Sequence, residues 1–178
     1  IAALARTGKT YYVDSELGSD SNAGTSPGTG AWRTATYAFK GIAQARYGPG
    51  DQILFKRGQT FGIIGGQVAP GHGRAKYGYL FGAYGTGPKP KIQFVGGQTD
   101  YIIQQIGNGM AHVCFSDLEF SLTSPAGVVA ADFFFCSQDL TNLLFLRVDM
   151  RDFSSAAVMS GGIGNREISG LFIIDSTF

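Results

Sequence analysis

Three segments in the second half of the chain carry one pattern. Val113–Phe120, Leu143–Met150 and Leu171–Phe178 align without gaps, at offsets of 30 and 28 residues. In the first two segments the closing residues alternate charged or polar with apolar, as a half-buried strand does, and the third departs only in having Ser176 at an apolar position. A short strand recurring at such a period marks a solenoid, in which each coil buries its apolar face only by stacking on the next. The repeat therefore predicts an all-β chain folded as a right-handed parallel β-helix.

Composition agrees with that architecture. The 178 residues include 27 Gly, 14 Phe and 8 Tyr, glycine for turns and aromatics for strands. Net charge is +1, and no basic run exceeds Lys56-Arg57, so nothing points to nucleic acid as a partner. Although 44% of the residues are hydrophobic, no apolar run is long enough to predict a transmembrane helix. Cys114 and Cys136 lie in no metal-binding spacing. They read as buried thiols, with a disulfide open to a secreted protein.

Along the chain, strands are expected at 10–13, 51–58, 79–84, 91–95, 101–106 and 132–136, before and between the repeats. Residues 14–27 form a Gly/Ser/Asp/Asn-rich loop. Asp14, Asp20 and Asn22 there read as turn-capping groups rather than as a Ca²⁺ loop. Thr34 is placed as the N-cap of a helix reaching to about residue 47, with Ala35, Ala38, Phe39, Ile42 and Ala45 on one apolar stripe. The stretches around 65–66 and 70–73 are expected to be loop, and Gly161–Gly164 a tight turn between coils. The expected organisation is a leader or linker stub at 1–9 and a single β-helix domain at 10–178. Within it, 10–50 form an N-terminal cap and 51–178 form the coils. Because the third repeat closes on Phe178 with no polar cap after it, the coils are expected to continue beyond this residue or to be capped by a partner.

Several blocks resemble one known group. Tyr11–Ser15, Gly18–Asn22, Gly24–Pro27, Trp32–Thr34, Pro49–Gly58 and Ala83–Pro90 look like the N-terminal cap and first coils of secreted right-handed β-helix proteins, the pectate-lyase-like superfamily. The blocks occur in order over roughly residues 10–95. The resemblance implies a secreted or virion-surface protein and a carbohydrate ligand. Members include polysaccharide lyases, glycoside hydrolases, epimerases and phage tailspikes, so the reaction stays open. None of the matched residues carries chemistry. Trp32 reads as part of the cap rather than as a sugar platform.

The repeat itself offers candidate site residues. Stacked coils place Leu118, Val148 and Ser176 in one inward column, and Phe120, Met150 and Phe178 in another. Between them two outward columns are expected on one strand face: Asp117, Arg147 and Asp175, then Glu119, Asp149 and Thr177. The pattern predicts four carboxylates around one arginine.

Three chemistries fit this patch. Glu119 and Asp149 could act as acid and base on a glycosidic bond. They could instead hold Ca²⁺ that bridges to an acidic sugar. Arg147 could neutralise a uronate carboxylate ahead of proton abstraction. Asp117, Asp175, Arg151 and Asp152 would then contact substrate. Against these stands a plain ion-pair ladder that fixes register. The Glu119–Asp149 juxtaposition argues otherwise, because opposed like charges call for a cation or a raised pKa. Lys89 and Lys91 read as surface lysines or as contacts to an anionic polymer. Neither His72 nor His112 has a partner at ligand spacing.

The expected function is a polysaccharide lyase or glycoside hydrolase acting on an extracellular, acidic polysaccharide. The alternative is a tailspike or adhesin module that binds glycans without cleaving them and assembles as a homotrimer.

Overall fold

The computed structural model describes residues 8–44, 46–48, 50–63, 67–71, 78–94, 101–107, 110–122, 132–136, 140–152, 159–160 and 168–177. Among them are one α-helix, α1 (Ala35–Ala43), and fifteen strands. In chain order the strands are β1 (Thr10–Val13), β2 (Gln52–Lys56), β3 (Thr60–Ile63), β4 (Gln67–Gly71), β5 (Leu80–Tyr84), β6 (Lys91–Phe94), β7 (Tyr101–Gly107) and β8 (Met110–Ala111). They continue as β9 (Cys114–Ser116), β10 (Glu119–Leu122), β11 (Asp132–Cys136), β12 (Leu140–Leu146), β13 (Asp149–Arg151), β14 (Met159–Ser160) and β15 (Ile168–Ile174). No helix among the described residues is long and apolar enough to cross a membrane.

Every strand pairing is parallel, and the strands fall into three sheets. The first runs β1-β2-β5-β9-β12-β15, with β8 also paired to β12; the second runs β3-β6-β10-β13; the third runs β4-β7-β11-β14. From β2 onward the chain visits the first, second and third sheets in turn and then returns to the first. Each strand pairs with the strand one circuit later. The register matches the repeat: Cys114 pairs with Leu144 and Leu144 with Phe172, at offsets of 30 and 28 residues. The fold is thus mostly β, built of parallel sheets with a single short helix.

The core follows from that register. Ile53, Phe81, Phe115, Phe145 and Ile173 occupy one column of the first sheet. Phe115 stacks on Phe81 at 5.4 Å and on Phe145 at 5.5 Å between ring centroids. From the helix, Phe39 stacks on Phe81 at 4.9 Å. The second sheet supplies Phe61, Ile92, Phe120 and Met150, all buried and in register. Leu118 and Val148 are fully buried between the two sheets, as expected. The third member of their column, Ser176, satisfies its hydroxyl locally: it accepts from the Val148 amide at 3.0 Å and lies 2.9 Å from the Ile174 carbonyl. Phe178 lies outside the described residues, as do 1–7, Ala45, His72 and Gly161–Gly164.

Helix α1 begins where its cap predicts. The Thr34 hydroxyl accepts from the Tyr37 amide at 3.1 Å. The Asp20 carboxylate fixes that turn by accepting from the Arg33 and Thr34 amides and from the Thr34 hydroxyl. The stripe Ala35, Ala38, Phe39 and Ile42 is buried, and the helix packs on β3 and β4, the end strands of the second and third sheets. Trp32 is buried, stacks on Tyr11 at 4.8 Å, and donates to the Asn22 carbonyl. Asp14, Asp20 and Asn22 all cap backbone in this region, as the turn reading has it.

Three expectations change. First, strands β3 and β4 occupy a stretch for which no strand is expected, and β4 runs through Pro70-Gly71. Strand β4 ends its sheet, where the missing proline amide is tolerated. Second, α1 stops at Ala43 rather than near Tyr47. Third, each repeat segment is not one straight strand. It is the end of a first-sheet strand, a corner, and the start of a second-sheet strand. The corner residues Asp117, Arg147 and Asp175 have φ of 59°, 53° and 49°, in the left-handed region. In these three circuits one left-handed residue turns the chain from one sheet to the next. Gly58 and Gly85, with φ of 79° and 78°, sit at the same turn in the two preceding circuits.

Candidate functional site

The corner between the first and second sheets gathers the charged residues singled out by the repeat. Asp117, Arg147 and Asp175 are the corner residues of successive circuits. The Arg147 guanidinium grips the Asp117 carboxylate bidentately, Nε to Oδ1 at 2.8 Å and Nη2 to Oδ2 at 2.6 Å. Nη2 also reaches Ser116 Oγ at 3.3 Å, and Ser116 donates to Asp117 Oδ2 at 2.7 Å. From an earlier circuit, Arg57 Nη2 approaches Asp117 Oδ1 at 3.4 Å. The Arg147 hydrogen bonds, opposed by partial burial and helped by Ser116 and the charge of Arg57, hold the Asp117 carboxyl down at about 2. The same pairing, with the charges of Asp117 and Asp175, raises the already high pKa of Arg147.

The second outward column starts the second-sheet strands. Glu119 on β10 and Asp149 on β13 are direct register partners, and Asp149 bridges Thr177. The opposed pair expected from the sequence is therefore present. The cation it calls for is supplied by the chain itself. Lys91 Nζ lies 3.1 Å from Glu119 Oε1, and Lys89 Nζ lies 2.9 Å from Asp149 Oδ2. Arg151 Nε stands 3.8 Å from Glu119. This corrects two readings. Lys89 and Lys91 are ladder members rather than plain surface lysines, and the patch is not four carboxylates around one arginine. Lys91 is also the direct register partner of Glu119, one circuit earlier. Asp152 follows β13 in a left-handed conformation and is exposed.

The face of the expected site also needs correction. Asp117 and Glu119 do not share one strand face, because the left-handed corner separates them. Asp117 sits on the edge where the two sheets meet and Glu119 just beyond it, which produces a ridge of mixed charge rather than a flat panel.

Ca²⁺ does not fit this ridge. It takes 6–8 oxygen ligands, whereas Glu119 and Asp149 each already face an ammonium group, and no cluster of three or more His, Cys, Asp or Glu side chains converges among the described residues. Cys114 is buried on β9 in the first sheet and Cys136 lies on β11 in the third. The Cys136 side chain is outside the described residues. His112 lies between β8 and β9, both of the first sheet, in a left-handed conformation, with Nδ1 3.0 Å from Asn142 Nδ2.

No family model and no curated protein matches the sequence. Solved structures do match its shape. The selenomethionine derivative of the GH136 lacto-N-biosidase from Eubacterium ramulus superposes with a TM-score of 0.66 at 18% identity, over 94% of this chain and 34% of that one. The native form of the same protein gives 0.56 at 21% identity, over 95% of this chain and 30% of that one. A rhamnogalacturonan lyase gives 0.53 at 16% identity, over 96% of this chain and 52% of that one. At these identities the likeness is one of fold. The chain spans about a third of the biosidase and about half of the lyase, and its fold is one found in a glycoside hydrolase and in a polysaccharide lyase.

Proposed function

We propose that this is a carbohydrate-active protein of the extracellular space whose three sheets wind as a right-handed parallel β-helix. Parallel strands joined by crossovers in one sheet take the right-handed sense almost without exception. In this reading 10–50 form the cap, with α1 laid over the end strands β3 and β4, and 51–178 form the coils. The ligand is an extended polysaccharide lying along the corner ridge.

The observation that carries this reading is the ladder of ionised side chains projecting from successive circuits at one corner, in a fold otherwise closed by aromatic packing. Glu119 and Asp149 are the proposed reacting pair. As register partners on adjacent parallel strands they stand side by side, their backbones about 4.8 Å apart, the neighbourhood that a pair of acting carboxylates needs. On substrate binding one carboxyl group would exchange its lysine for a proton and give that proton to the glycosidic oxygen, while the other attacks the anomeric carbon and water then completes the cleavage. Arg147 was expected to neutralise a uronate, but its Nε–Nη2 edge is engaged by Asp117 and Ser116. Hydrolysis is therefore favoured over β-elimination. Asp117, Asp175, Arg151 and Asp152 would line the chain's path.

The assay is depolymerisation of a polysaccharide panel, recording new reducing ends and the ultraviolet absorbance of unsaturated products. Reducing ends without absorbance, lost in Glu119→Gln and Asp149→Asn, support the hydrolase. Absorbance would reassign it as a lyase. Unchanged turnover in both variants would remove this site from the reaction.

A second reading is a glycan-binding adhesin without catalysis, favoured by the ion pairing of both candidate carboxylates. Binding without any product, together with a trimer in sedimentation, would establish it.

A further inference from the structure

We propose that the corner ridge selects neutral glycans and rejects uronate polymers, the opposite of the expectation drawn from the sequence. The inference rests on reading the ridge as the glycan site, and it concerns what that site admits. Among the described residues, Arg57, Lys89, Lys91, Arg147 and Arg151 stand against Asp117, Glu119, Asp149, Asp152 and Asp175 on this ridge, and the two signs cancel. Pairing is direct for most of them: Arg57 and Arg147 on Asp117, Lys91 and Arg151 on Glu119, Lys89 on Asp149.

A polyanion needs a surplus of cations. Here each cation that could meet a sugar carboxylate already holds a resident one, which would repel the newcomer at close range. Resident like charge is a common device for excluding a wrong ligand. A sugar hydroxyl, by contrast, is both donor and acceptor. It is best met by a fixed donor beside a fixed acceptor, which an ion-paired guanidinium and carboxylate present together. The Arg147 side chain remains 47% exposed while gripping Asp117, which is itself 22% exposed, so the pair faces solvent as a unit. Ser116 tethers the pair from beneath, and the Lys91–Glu119 pair repeats the donor–acceptor arrangement across the corner.

The test is affinity electrophoresis of the chain through gels holding either a neutral galactan, a neutral β-glucan or polygalacturonate, at about 50 and about 500 mM salt. Retention by a neutral polymer is expected to change less than about twofold with salt, and polygalacturonate to bind at least about tenfold more weakly. Asp117→Asn, which leaves the ridge one positive charge in excess, should weaken neutral binding about tenfold and strengthen polygalacturonate binding, most at low salt. Glu119→Gln should act in the same direction, and a near-ultraviolet circular dichroism spectrum matching the parent shows that each variant is folded. Tighter binding to polygalacturonate that falls with salt overturns the inference but leaves the glycan reading intact. Binding to none of the three polymers overturns the glycan reading and the inference with it. Neutral binding unmoved in both folded variants overturns the inference by placing the site elsewhere.

Discussion

Replacing Asp14 by asparagine tests how the first circuit is held together. Asp14 follows β1, is fully buried, and ties three segments through one carboxylate. Its Oδ1 accepts from the Glu16 and Leu17 amides, each at 3.1 Å, and from Gln59 Nε2 at 2.9 Å. Its Oδ2 meets Lys56 Nζ at 2.9 Å. Burial alone would raise this carboxyl, but the hydrogen bonds from Gln59, Lys56, Leu17 and Glu16 outweigh it and hold it at about 2, against an ordinary value of 3.8. A folded-state pKa below the unfolded one stabilises the fold above the unfolded value, and that contribution is lost as pH falls through the folded value. The gap corresponds to roughly 2 kcal/mol at neutral pH. That is an upper figure, because the Lys56 side chain is about a third exposed and its share is screened. Trp32 is the only tryptophan, and its carbonyl accepts from the Asp14 amide, so its fluorescence reports this region. Urea midpoints followed by that signal should show Asp14→Asn less stable by about 1–2 kcal/mol at pH 7. The difference should shrink between about pH 4 and pH 2 and vanish below. Asp117 titrates in the same window, but it does so in both proteins and cancels in the comparison. A difference that is constant from pH 7 to pH 2, or absent at pH 7, would refute the reasoning.

Three further predictions are direct. Phe115→Ala removes a ring 1% exposed that stacks on Phe81 and Phe145 and meets Phe120 edge-on at 6.0 Å, and should cost about 3–5 kcal/mol by urea denaturation with an unchanged slope. Gly24→Ala places a methyl group 2.4 Å from the Trp32 ring at a residue with φ of 76°; it should lower stability by more than about 1 kcal/mol and shift the Trp32 emission. Arg147→Gly should change stability in urea by less than about 1 kcal/mol, relief of the left-handed backbone offsetting the lost pair, while weakening glycan binding about tenfold in the affinity gels.

The sequence made the architecture legible wherever one coil repeats the next. Offsets of 30 and 28 residues reappear in the register of β9, β12 and β15, and β1 and β11 have the bounds expected. Short strands without a clean alternation were harder to read. In β3, Gly62 takes an outward position between Phe61 and Ile63, and β4 contains a proline. The corners were missed because a left-handed residue is ordinarily announced by glycine. Here Asp117, Arg147 and Asp175 serve the turn that Gly58 and Gly85 serve in earlier circuits. Aspartate tolerates this conformation, so two of the three substitutions carry little signal. The lysine partners of the ridge were half visible. Lys91 lies 28 residues before Glu119, one period upstream, and extending the repeat by one coil would have paired them. Lys89 lies 60 residues from Asp149 and reaches it across an intervening strand, which no single period encodes.

Arg147 separates a stabilising ladder from a binding one. A left-handed backbone costs an ordinary L-residue roughly 1–2 kcal/mol, and Arg147 has neither the freedom of glycine nor the short polar side chain that lets aspartate adopt it. In return it makes a bidentate pair that is the main cause holding the Asp117 carboxyl at about 2, a geometry that contributes more than an ordinary surface pair, although the guanidinium side is 47% exposed and so partly screened. The backbone cost and the pair's contribution are of similar size, so the exchange adds little net stability. Asp117 would keep Arg57 at 3.4 Å without Arg147, so the arginine is not needed to neutralise the corner. Glycine at this position would serve the turn better, as Gly58 and Gly85 do in earlier circuits. An arginine placed at an unfavourable corner, paired on one edge and open on the other, is better explained by what it offers to a ligand than by what it adds to the fold. Replacing it by glycine should therefore cost glycan binding far more than stability.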